Sequence, residues 1–113
     1  MNRTPKHQTL ASGRWFELSL CEQMGNIGGE VHRAVQWQAC DQKIFDAAVD
    51  NVLELIDLTI ADLRWQKRLR EILRVREFFC DAVFGENQYD ISLEDLDHYF
   101  LQFAIATRLA QGK

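Results

Sequence analysis

Pro5 is the single proline of the 113-residue chain, and beyond it the apolar residues recur at intervals of three and four. Proline breaks a helix interior, and a three-and-four period lays one apolar stripe along a helical face. Together they predict an all-α fold. Short links between successive helices make them antiparallel neighbours, so the expected architecture is an antiparallel bundle of four main helices, with oligomerisation. Residues 1–13 read as a flexible polar N-terminal tail and 14–113 as one helical domain. A chain of this length buries roughly two-thirds of its unfolded surface, enough for a core of its own.

Start and stop signals set the helix limits. Ser19-Leu-Cys-Glu22 is a capping box that opens the first helix, whose core stripe is Leu20, Met24, Ile27, Val31 and Ala34. The second runs from about Gln42 to Ala61, with Phe45, Ala48, Val49, Val52, Ile56, Thr59 and Leu63 inward. Asp62 is the expected break before the third helix, which turns Leu69, Ile72, Leu73, Phe79, Cys80 and Val83 inward and stops at Gly85 in a left-handed conformation. Ser92-Leu-Glu-Asp95 is a second capping box, and the fourth helix after it buries Leu93, Leu96, Phe100, Phe103 and Ala104.

Charge and composition remove several classes of function. Seventeen acids against 13 Lys and Arg give a net charge of −4, without the basic patch of a nucleic-acid binder. No apolar run approaches the ~20 residues of a membrane span, and the first residues lack the apolar core of a signal peptide. A cytoplasmic protein with no nucleic-acid or membrane partner is expected. Cys21, Cys40 and Cys80 lie far apart in odd number, as reduced thiols do. The phosphate-binding GxxxxGK[ST] pattern is missing, and neither His32 nor His98 has the spacing of a hydrolase triad or of an Arg-then-His ribonuclease motif.

The stretch Glu22-Gln-Met-Gly-Asn-Ile-Gly-Gly-Glu-Val31 goes against the local helical preference. Each interior glycine costs about 1 kcal/mol relative to alanine, so Gly25, Gly28 and Gly29 together give up about 3 kcal/mol. Gly25 and Gly29 lie one turn apart, away from the Leu20–Val31 stripe. Small residues there let another backbone approach, so this side is the expected interface with a partner chain or another helix. The alternative is that the glycines make room for a nucleotide.

On the second helix Asp46, Asp50, Glu54 and Asp57 share one stripe, with no Lys or Arg between Lys43 and Arg64. One reading is a solvated face lying beside the basic third helix with its Lys67, Arg68, Arg70 and Arg74. The other is a cation site, because carboxylates one turn apart can hold a hard divalent ion. Glu22-Gln-Met-Gly-Asn26 followed by Glu54-Leu-Ile-Asp57 resembles the EExxE and ExxD pair of the MazG-like all-α nucleoside triphosphate pyrophosphatases, with residues 27–53 in the interval. Gln23 and Asn26 stand where that pattern has acids, and amides carry no negative charge. The resemblance implies helical hairpins that assemble as dimers or tetramers and a metal-dependent release of pyrophosphate from a nucleotide. It further implies Mg²⁺ or Mn²⁺ on Glu54 and Asp57, with Glu22 or Glu30 as a third ligand and Asn26 bonded to water or phosphate.

Arg76 falls on the apolar face of the third helix and Asp97 on the flank of the fourth. A buried charge needs a partner, so an internal Arg76–Asp97 pair is one expectation. The other sends Arg76 to a carboxylate near Glu30 and Glu54, or to a ligand phosphate. Two functions thus stand from the sequence. One is a MazG-like nucleotide-binding or nucleotide-hydrolysing protein whose metal site is altered, and the other a non-enzymatic homo-oligomeric interaction module.

Overall fold

The computed structural model describes residues 13–111, which are helical and contain no strand. A 3-10 turn (Arg14–Glu17) leads into α1 (Leu20–Trp37) and α2 (Gln42–Ala61). A 3-10 segment (Leu63–Arg68) then precedes α3 (Leu69–Phe84) and α4 (Leu93–Gln111). The expected N-terminal tail lies outside the described residues except for Gly13, whose carbonyl accepts the Phe16 N–H at 3.0 Å.

The expected caps are in place. Ser19 Oγ accepts the Glu22 N–H at 3.1 Å while Glu22 Oε1 accepts the Ser19 N–H at 2.8 Å. Ser92 and Asp95 repeat the exchange at the start of α4, both at 3.0 Å. That backbone N–H, with the Ser92 hydroxyl, holds the Asp95 carboxyl below the usual carboxylate range. Asp62 ends α2, and its carboxylate accepts the Arg64 N–H at 3.1 Å to open the next segment.

α1 lies between α2 and α4. Gln23 and Glu30 of α1 bond to Asp62 and Asn51 on the α2 side. On its other side Gly25 meets Ala104, Gly28 meets Phe100, His32 meets Asp97 and Gln38 meets Glu94. Numbers rise along one helix as they fall along the other, so α1 runs opposite to both neighbours. Trp15, Ile27, Ile56, Phe79 and Phe100 are fully buried between these layers. α3 is tied to α4 by the Tyr99 hydroxyl, which donates to Glu71 at 2.7 Å. Glu71 is consequently held below its ordinary pKa, first by Tyr99 and then by Arg68, while burial and the same bond push Tyr99 up.

The structure corrects four details of packing. Leu63, expected inward, is 77% exposed, and Leu73 is also exposed while Val75 is buried in its place. Leu63 lies past the end of α2, in the 3-10 segment that Asp62 opens, where the Trp65 backbone (φ −104°, ψ 21°) is not helical. Ala104, expected to be buried, is exposed, although its backbone supports Gly25. Gly85 is not left-handed: its φ is −95°, and its N–H reaches the Asp81 and Cys80 carbonyls. Positive φ falls instead on Asn87 and Asp90, in the loop whose Gln88 and Tyr89 N–H groups donate to the Asp81 carboxylate at 3.0 and 3.2 Å.

Candidate functional site

The residues expected to bind metal and nucleotide lie mostly on α1 and α2. Gln23, standing where the resembling family has an acid, is completely buried. Its Nε2 donates to the Trp15 carbonyl at 2.9 Å and to Asp62 Oδ2 at 3.0 Å, and its Oε1 accepts from Trp65 Nε1 at 2.9 Å. Both donors and the acceptor are thus used, which is how a buried amide avoids the penalty of desolvation. Trp15 Nε1 donates to Thr59 Oγ1 at 3.2 Å, and Thr59 donates back to the Leu55 carbonyl at 3.0 Å. Arg64 completes the set, donating to Asp62 at 2.7 Å and to the Leu18 carbonyl at 2.7 Å. The Arg64 guanidinium holds the Asp62 carboxyl down at about 2 against the opposing effect of its burial. Gln23 therefore pins the entry turn to the α2–α3 junction.

The expected ligands each have a place. Glu22 is engaged in the α1 cap, and Asn26 donates to the Glu22 carbonyl at 2.7 Å. Glu30 accepts from Asn51 and lies 3.5 Å from Arg33. Asp57 accepts from Arg76 Nε at 2.9 Å, and Arg76 also approaches Cys80 Sγ. The internal Arg76–Asp97 pair is thus not formed: Asp97 lies 3.0 Å from His32 instead. Among the basic residues expected beside the acidic stripe, Arg68 turns to Glu71 on α3 at 2.7 Å. Glu54 shares the outward side of α2 with Asp57, one turn away. Among the described residues no group of three or more His, Cys, Asp or Glu side chains is arranged to hold a metal ion.

The glycines fall into two kinds. A Cβ on Gly28 would lie 2.6 Å from Phe100 Cβ, inside any permitted contact, and one on Gly25 would lie 3.5 Å from Ala104 Cα. Gly28 is thus what lets α4 of the same chain seat on α1, whereas a side chain at Gly25 would make an ordinary contact. Gly29 has nothing within 4 Å of its would-be Cβ. Of the two expected interface glycines, Gly25 is covered by the chain's own α4 and Gly29 is open. Beside Gly29 runs a groove with a hollow of about 250 Å³, lined by His32, Asp97, Leu101 and Ala104 among others.

α4 carries a feature that the spacing of its apolar residues hints at and that its core stripe hides. Leu93, Leu96 and Phe100 are buried, yet Leu101, Ile105 and Leu109 are exposed at 52%, 50% and 69%. At ~100° per residue these three form a row on the side away from the core, one turn apart each. Their interval of four was the available signal, and the sequence expectations did not include it. A helix that is apolar on two sides needs two coverings, and the described residues supply one.

The described residues define a class no narrower than a compact all-α protein, and among them no helix is long and apolar enough to cross a membrane. In comparisons with protein-family models, curated proteins and solved structures, nothing matches the chain.

Proposed function

We propose that the chain is a non-enzymatic helical interaction module that works by self-association, as a homo-oligomer. The observation behind this reading is the exposed row Leu101, Ile105 and Leu109 on α4. Fully burying one such side chain is worth about 1.5–3 kcal/mol, so half-exposed ones add about 1 kcal/mol each. Six of them, three per copy, gain about 6 kcal/mol, against an association cost of about 4–15 kcal/mol. Over most of that range the row alone falls short of holding two copies together, so adjoining surface must contribute to the complex. Light scattering after gel filtration, over a concentration series, tests the reading: mass rising with concentration is expected, and a monomer throughout refutes it.

A second reading, a MazG-like Mg²⁺-dependent nucleotide-binding protein or pyrophosphohydrolase, is favoured by Glu54 and Asp57 sharing the outward side of α2. It requires Glu22 and Glu30 to leave their present partners, and Arg76 to release Asp57. Its test is the unfolding midpoint with and without Mg²⁺ or Mn²⁺. Saturation to ~100-fold over the dissociation constant adds about 2.7 kcal/mol. A rise that Glu54→Gln with Asp57→Asn abolishes supports the second reading, and no rise removes it.

A further inference from the structure

We infer that a second copy of the chain docks antiparallel along α4, with a two-fold axis passing between Leu101 and Ile105, and the inference rests on the self-association reading. Two independent features of α4 give the same axis. Leu101 and Ile105 are both half exposed on the outer side, and an antiparallel partner sets each against the other's counterpart when the axis crosses near position 103. Asp97, which keeps an oxygen 3.0 Å from His32 of its own chain, and Arg108 flank that row eleven residues apart, which at ~100° per residue is about three turns and returns to nearly the same angle. Their midpoint is between 102 and 103. The axis that pairs the apolar side chains therefore also carries each Arg108 toward the partner's Asp97, twice over. A parallel pairing would set Arg108 against the partner's Arg108.

The surface beside the row fits the same occupant. The hollow of about 250 Å³ next to Leu101 and Ala104 has room for an aliphatic side chain of a second α4. Its open edge is Gly29, where no side chain keeps a backbone away. Rows at i and i+4 on both helices are the ridges that interdigitate in the commonest class of helix packing, and a two-fold axis makes the contact self-complementary. Because the pairing uses one patch on each copy, it closes at two chains.

The test uses the full chain in a background with Cys21, Cys40 and Cys80 replaced by serine and the fold checked by circular dichroism. Helices packed about 8–10 Å apart, with Cα atoms about 2.3 Å from each axis, bring facing Cα atoms to about 3.4–5.4 Å, which overlaps the disulfide range of about 4.4–6.8 Å. Mixed under mild oxidation, Leu101→Cys and Ile105→Cys chains should cross-link to one another in preference to themselves. In the wild-type cysteine background, Ile105→Glu should shift the dimer to monomer at unchanged helicity, and Arg108→Glu should weaken it several-fold. Self-linked Leu101→Cys, or a dimer indifferent to Ile105→Glu, overturns the α4 pairing while leaving self-association standing. A wild-type chain monomeric up to near-millimolar concentration overturns both.

Discussion

Substituting the three α1 glycines one at a time separates close approach from mere tolerance. Alanine at Gly28 places a methyl carbon 2.6 Å from Phe100 Cβ, about 1 Å inside a normal carbon contact of 3.5–4.0 Å. Phe100 Cβ is the root of a fully buried side chain and cannot swing away, so α1 and α4 must part. Overpacking of this kind costs about 1–3 kcal/mol or more, and the helical gain of about 1 kcal/mol offsets only part of it. Alanine at Gly29 meets nothing within 4 Å and keeps the whole gain. Alanine at Gly25, 3.5 Å from Ala104 Cα, makes an ordinary contact and should be neutral to stabilising. One kcal/mol moves the midpoint of a domain near this size by about 4–8 °C. Thermal unfolding by circular dichroism should therefore order the variants Gly29→Ala above wild type above Gly28→Ala. A Gly28→Ala chain as stable as Gly29→Ala would show that α4 does not seat on α1 at Phe100, and the close-approach argument would fail with it.

The polar network and the acids give three further expected outcomes. The folded-state pKa of Asp62, about 2 against 3.8, is depressed, so its contribution is present above pH 4 and is lost as pH falls through 2. Urea titrations from pH 7 to 2 should show about 2 kcal/mol of acid-labile stability that Asp62→Asn removes. Gln23→Glu restores the acid of the resembling family but sets a second carboxylate beside Asp62 and strips the Trp15 carbonyl of its donor, so it should lose about 3 kcal/mol or more at pH 7. A stable Gln23→Glu chain with a Mg²⁺-dependent midpoint would instead favour the metal reading. Arg76→Met should alter stability by less than about 1 kcal/mol, because its bond to Asp57 is largely solvated; a loss of several kcal/mol in a denaturant titration would contradict that.

Local signals were legible in the sequence where their causes are local. The Ser19–Glu22 and Ser92–Asp95 boxes and the break at Asp62 depend on residues within a turn of one another, and all are present. The inward side of α3, with Val75 rather than Leu73, was not legible, because it depends on how the helix is placed against its neighbours. Gln23 itself read as a substituted acid, since its partners at positions 15, 62 and 65 converge only in the folded chain. Gly25, Gly28 and Gly29 look equivalent along the sequence, and the position of Phe100 makes them different. The acidic stripe was visible on α2, but that Arg76 reaches Asp57 while Asp97 turns to His32 depends on how the helices are placed.

The glycines and the exposed row on α4 have one cause in common. A helix presents about half its circumference to a neighbour. Because Gly28 lets α4 seat against α1, the side carrying Leu93, Leu96 and Phe100 is used there. α2 packs on the opposite side of α1 and cannot reach round it. α3 meets α4 through Tyr99 and Glu71, near the beginning of α4. Along the later turns, the side of α4 turned away from the core, with Leu101, Ile105 and Leu109, is therefore left half exposed or more. Because each of these side chains is already partly buried within its own chain, Leu101→Gln with Ile105→Gln and Leu109→Gln should lower the thermal midpoint modestly at unchanged helicity while self-association is lost.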